Sequence, residues 1–159
     1  MPGSGSDATA SARAQPLASP KRPGAAKSRG RCAPGSIVLS LFTSEPAYSP
    51  ARQPRFDVYA VSTSSTACEF PFGPSDTRVV VTRHGRVVWD SAVCSAPRTA
   101  ERPVRFTQGV PREAALSWNR KAAGRGCGGS LTRGERGTFE AIAAADGVTS
   151  QVRSFKLLS

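Results

Sequence analysis

From Ser36 to Leu158 the chain repeatedly sets an apolar side chain at every second position, stops at a turn, and starts again. Ser36–Phe42 (SIVLSLF) puts Ile37, Leu39 and Leu41 on one face. Arg55–Thr63 (RFDVYAVST) alternates cleanly, with Phe56, Val58 and Ala60 inward and Arg55, Asp57 and Tyr59 outward. A period of two belongs to a half-buried strand, because successive side chains leave a strand on opposite faces. Thr77–Thr82 (TRVVVT) and Arg86–Asp90 (RVVWD) flank Arg83-His84-Gly85, and a glycine that accepts positive φ makes this a hairpin turn. Pro103–Thr107, Glu113–Asn119, Thr138–Ala144 and Val152–Leu158 continue the series. Glu140–Ala145 has helical propensity, but it follows Gly-Thr-Phe and ends at Asp146-Gly147, so it is read as strand. The result is about eight short strands with turn signals at roughly 8–12-residue spacing, the pattern of an all-β, antiparallel β-sandwich.

Residues 1–31 have a different texture. They are Pro-, Ala-, Ser- and Arg-rich, contain no aromatic, and hold Leu17 as the only large aliphatic besides Met1. Such a segment buries too little apolar surface to offset its ordering entropy, so a disordered linker or tail is expected. Residues 32–159 form the expected sandwich domain, long enough for one core. The whole chain carries a net charge of +11. Residues 1–31 hold six basic and one acidic side chain (+5), and residues 32–159 hold 16 and 10 (+6). Arginine outnumbers lysine 18 to 4, a bias that a GC-rich coding sequence explains as readily as an anionic ligand. A solvated surface ranks first, and an anionic partner second.

The four cysteines, Cys32, Cys68, Cys94 and Cys127, are far apart, and His84 is the only histidine. Zinc ligands usually come in close pairs, so no metal site is expected. Even-numbered, widely spaced cysteines in a strand-rich chain fit disulfides and an oxidising compartment. The first 31 residues contain no apolar run of signal or membrane-helix length. An extracytoplasmic chain would then have a start further upstream, the favoured reading, or leave by a non-classical export route, and a cytoplasmic chain with free thiols is the alternative. If the strands alternate up and down in sequence, all four cysteines fall at one end. That parity allows any of the three pairings. Cys32–Cys68 with Cys94–Cys127 is chosen because each pair brackets neighbouring elements. Trp89 and Trp118 are expected to pack over this frame. The same alternation gathers Thr43–Gln53, the Arg83–Arg86 turn, Gly109–Arg112 and Ala145–Ser150 at the opposite end. Arg52, Arg83, His84, Arg86 and Arg112 would then form a possible binding rim.

Catalytic constellations are not found in the sequence. A Ser–His–Asp triad has only His84 for its base, on a predicted turn, and no G-x-S-x-G surrounds a serine. The carboxylates sit mostly at outward strand positions or in loops, where solvated charge is the default. The glycines at 124–129 precede no strand-to-helix pattern, and no G-K-[ST] occurs. Tyr59 is the lone outward strand aromatic, which ranks nucleic-acid binding low despite the charge.

The sequence order "FDVYAVSTSSTAC", "RVVWDSAVC", "LSWNRKAAGRGC", "RGTFEAIA" and "SFKLL" resembles small, uncharacterised extracytoplasmic Ig-like proteins of high-GC Gram-positive bacteria. More loosely, the "VVWD" hairpin and strand order resemble the Bacillus-type intracellular proteinase inhibitor domain. The resemblance covers residues 32–159 and is most specific at Trp89/Cys94 and Trp118/Cys127. It implies an Ig-like sandwich of about 7–8 strands with paired cysteines, and no catalytic residues. The chain departs from that family's layout in showing no membrane anchor, and it lacks the antibody spacing of Cys, core Trp and Cys.

These observations lead to an expected function: a non-enzymatic, secreted or cell-surface module, monomeric and without cofactor. It would contact another protein or a cell-envelope polymer, or serve as a structural spacer. A proteinase inhibitor presenting Thr43–Gln53 is the competing class, and a basic nucleic-acid-binding protein ranks third.

Overall fold

The computed structural model describes residues 30–94, 102–120 and 136–159. The chain divides into two units, Met1–Arg31 and Cys32–Ser159. The expected disordered tail falls almost wholly on residues 1–29, outside the described residues.

The second unit is built from β1 (Ile37–Thr43), β2 (Ala47–Tyr48), β3 (Arg55–Ser62), β4 (Cys68–Phe70), β5 (Arg78–Arg83), β6 (Arg86–Asp90), β7 (Val104–Phe106), β8 (Arg112–Ser117), β9 (Gly137–Ala145), β10 (Val148–Thr149) and β11 (Arg153–Leu157). A 3-10 turn at Pro34–Ser36 and a single helical turn at Ser91–Cys94 are the only described helical pieces within it. One sheet has the order β1-β3-β8, and the other the order β2-β11-β9-β5-β6 with β10 on β9. β4 and β7 form a separate two-stranded ribbon. All eight sequence-predicted strands are present. The three additions, β2, β4 and β10, are two or three residues long, too short to show a period.

The topology is Ig-like. The start of the chain first pairs antiparallel with β3 through β1. It then crosses to the other sheet, where β2 adds parallel to β11 through Ala47↔Lys156 and Tyr48↔Leu157. The crossing is fastened by the Tyr48 hydroxyl, which donates to the Arg55 C=O at 3.3 Å, accepts from the Glu45 N–H at 3.2 Å, and lies 3.0 Å from Ser44 Oγ.

The inner faces follow the alternation. Ile37, Leu39, Leu41, Phe56, Val58, Ala60, Ala114 and Leu116 come from the first sheet, and Val79, Val81, Phe139, Ala141, Phe155 and Leu157 from the second; all are buried. Rings join the layers. Trp89 stacks on Trp118 and on Phe56, with centroids 5.9 and 6.0 Å apart. Trp118 meets Phe139 edge-on, and Phe139 stacks on Phe155. Aromatic contacts of this kind add to simple area burial. Both tryptophans are therefore core residues: Trp118 continues the inward face of Ala114 and Leu116, whereas Trp89 lies in a run, Val88–Asp90, that is buried throughout. Phe70, Phe72 and Phe106 meet edge-on along the β4–β7 ribbon and join the same core.

Candidate functional site

The basic end is built around the β5–β6 turn. His84 and Gly85 both have positive φ, 51° and 77°, the primed geometry that matches a two-residue loop to strand twist. The turn exposes His84 and Arg86. Arg83 instead folds back over the Phe139 ring, 5.3 Å from its centroid. Its Nη2 lies 3.4 Å from where a Cβ on Gly137 would stand, so Gly137 keeps that space clear. Arg52 pairs with Glu45. Arg120, which the sequence did not single out, donates to Ser49 C=O at 2.7 Å and Leu158 C=O at 3.3 Å, clamping the β2 loop to the end of β11. Three of these arginines thus serve the fold, leaving His84 and Arg86 at the tip.

The remainder of the predicted rim lies elsewhere. Arg112 pairs with Ala60, and Gly109 N–H donates to Ser62 C=O. Ser62 in turn faces Ile37 and lies 3.8 Å from Cys68 Sγ. Gly109–Arg112 therefore belongs to the cysteine end, where the Arg112 guanidinium donates to Arg105 C=O. Ala145–Ser150 also departs from the expectation. Gly137 of β9 is beside Arg83, whereas Ala145 closes the strand eight steps away, roughly 27 Å. The error lies in assuming strict up-and-down order: β4 and β7 leave the sandwich to pair with each other, so the chain reverses once more before β8. Thr43–Gln53, the loop assigned to an inhibitor, has its centre fixed in the second sheet, with Tyr48 fully buried.

At the cysteine end, Cys32 is bonded to Cys68, and Cys32 N–H donates to Glu69 C=O at 2.8 Å. Cys94 is also disulfide-bonded; its expected partner Cys127 lies outside the described residues. Among the described residues no three His, Cys, Asp or Glu side chains converge as metal ligands, and no helix is long and apolar enough to cross a membrane.

Two charge clusters complete the electrostatics. Asp90, nearly buried, accepts from Arg78 Nε at 3.0 and 3.2 Å and from Ala92 N–H at 2.9 Å. Desolvation pushes its carboxyl up, but the Arg78 hydrogen bonds and charge and the Ala92 and Val93 amides together hold it below the usual carboxylate range. On the outer face of the first sheet, Arg55 reaches Asp57 at 2.8 Å and Glu113 at 3.7 Å. The Glu113 charge, followed by desolvation and Asp57, raises the neighbouring Tyr59 hydroxyl. Phe42 meets Tyr59 edge-on at 5.9 Å on the same face. These arrangements hold strands together and orient the sheet face; none aligns a nucleophile with a base.

No protein-family model and no curated protein matches this sequence. Among solved structures, the fold is similar to part of a β-glucosidase from Erythrobacter marinus, with a TM-score of 0.49 and 11% identity. The match covers 77% of this chain and 15% of the enzyme. The chain thus corresponds to a small fraction of that protein's length, and no activity is transferred from it.

Proposed function

We propose that this chain is a non-enzymatic, extracytoplasmic Ig-like module that contacts a protein or an envelope polymer. The observation that carries the proposal is the Cys32–Cys68 bridge, which fastens the entry of the domain to β4. A disulfide at a structural junction, rather than beside a redox-active motif, is the chemistry of an oxidising compartment. The Ig-like arrangement supplies a rigid body with exposed sheet faces and turns, a common way to present a contact surface.

Thiol titration of denatured, non-reduced protein taken from its native host tests the compartment. Zero free thiols support the proposal, and four overturn it. Co-sedimentation with purified cell-wall sacculi, against a control without them, separates a polymer partner from a protein partner. Incubation with broad-specificity serine proteases tests the competing inhibitor function: stoichiometric inhibition abolished by replacing Pro46 and Pro50 would displace the module reading.

A further inference from the structure

Among the described residues β1 is the edge of its sheet and pairs only with β3. Thr63 N–H donates to Ser36 C=O, and Ser44 N–H donates to Arg55 C=O. The even-numbered residues of β1 therefore turn their backbone groups toward β3, and in an antiparallel ladder the alternate residues turn theirs away. Two outward groups are used locally: Ile37 N–H on Pro34 C=O, and Leu41 C=O on Arg153 Nε at 3.1 Å. Leu39 N–H, Leu39 C=O and Leu41 N–H meet no partner among the described residues. They border a groove of about 750 Å3 walled by Ile37–Phe42 and Thr149–Arg153. Its lining is mixed: exposed apolar Val38, Phe42 and Val152, at 50%, 44% and 57%, stand among polar Ser40, Thr149 and Gln151. Arg153 is the one charged side chain in those walls, and its guanidinium lies over the Phe42 ring, 4.8 Å from the centroid.

We infer that this flank accepts an extended segment of another protein as an added strand on β1, with apolar residues at alternate positions and a carboxylate opposite Arg153. The inference rests on the module function proposed above and specifies the partner. The free donor and acceptor of Leu39 and the free donor of Leu41, two residues apart on one edge, complement the backbone of another polypeptide strand, with side-chain pockets supplying selectivity. An envelope polysaccharide has no such backbone. Arg153, held on Leu41 C=O, blunts the free edge as edge-strand charges do. A carboxylate on the incoming segment matches that cation and draws it off the carbonyl. A second copy of this chain brings a like Arg153 and another domain of net +6 (16 basic, 10 acidic), which works against self-pairing.

Amide hydrogen exchange on the full-length, oxidised protein supplies the first readout. Without peptide, Leu39 and Leu41 amides exchange at least about tenfold faster than Val38, Ser40 and Phe42, which are bonded to β3. A phage-displayed library of random nonapeptides is then panned against the protein, with Arg153→Glu as the counter-target. Thermal melts of Arg153→Glu and Arg153→Gln confirm that the variants fold. The expected winners alternate apolar and polar residues and carry Asp or Glu. The leading synthetic nonapeptide slows Leu39 and Leu41 exchange by about tenfold or more. N-methylating one alternate set of its nitrogens removes that effect while the other set leaves it, and Arg153→Glu weakens binding by about tenfold. The inference is overturned if Leu39 and Leu41 are already protected without peptide, or if protection grows with protein concentration alone, which assigns the edge to a second copy. Failure to enrich any peptide, or protection confined to other strands, overturns it too. The thiol count is independent of all these outcomes, so the edge can fail while the compartment stands.

Discussion

Removing the Cys32–Cys68 bridge by the double substitution Cys32→Ala/Cys68→Ala tests the frame of the domain. The two residues are 36 apart in sequence. In the chain-entropy model, closing a loop of that length removes about 13 cal/mol/K from the unfolded ensemble, or about 4 kcal/mol at 25 °C. Melting entropy near 2.1 cal/mol/K per residue gives about 0.27 kcal/mol/K for a domain of about 128 residues, so the melting temperature should fall by about 14 °C. Native contacts do not replace the bridge. What else joins Cys32 to β4 is its N–H on Glu69 C=O, and both cysteines are buried, so the alanines also leave small voids. Calorimetry of non-reduced wild type and double variant at neutral pH makes the measurement. A fall of less than about 3 °C would refute the idea that this cross-link limits the unfolded chain.

Three further perturbations address other supports. Tyr48→Phe strips the hydroxyl that serves Ser44, Glu45 and Arg55, and should cost about 1–3 kcal/mol in urea unfolding; a change below about 0.5 kcal/mol would remove the crossing from the list of stabilising features. Trp118→Ala empties a site with zero exposure between Trp89 and Phe139, with an expected loss of about 3–5 kcal/mol. Asp90→Asn should destabilise at pH 7. The folded carboxyl is held below its ordinary value, so its contribution is present above that value and disappears as pH falls through the folded pKa. Stability curves of wild type and Asp90→Asn should therefore run apart at neutral pH and converge in acid; a gap that stays constant to pH 2 would contradict the Arg78 pairing.

The inward residues of the predicted strands were legible because burial imposes a period of two wherever one face meets a core. Phe56, Val58 and Ala60 are buried while Asp57 and Tyr59 are half-buried, as the pattern of Arg55–Thr63 demands. The Cys32–Cys68 pairing was legible because it brackets neighbouring elements. What escaped was topology. Cys68–Phe70 and Val104–Phe106 pair with each other across 33 intervening positions, and nothing in three residues announces so distant a partner. That ribbon moved Arg112 to the cysteine end. Tyr48 escaped for a related reason: flanked by Pro46 and Pro50, it looks like loop, yet Pro46 C=O accepts from Lys156 N–H and Tyr48 C=O from Leu158 N–H. Proline lacks a donor but keeps its acceptor, so a proline-bounded dipeptide can still join an edge. Arg120 and Arg153 were masked by number, since in a chain with 18 arginines no single one stands out until its acceptor is known.

The open flank follows from the same crossing. A strand that stays in one sheet covers one edge along its whole length. Here the first strand is split: β1 runs beside β3 for seven residues, then β2 joins β11 for two. β2 reaches only Lys156 and Leu157, and among the described residues Arg153–Phe155 have no strand on that side. β1, for its part, carries no described strand on its outer side. β1 and Arg153 wall the same groove, and Arg153 Nε donates to Leu41 C=O. The division that ties the two sheets together at Tyr48 thus also ends the β1 strand at Thr43 and leaves Leu39 and Leu41 with backbone groups that no described strand takes up.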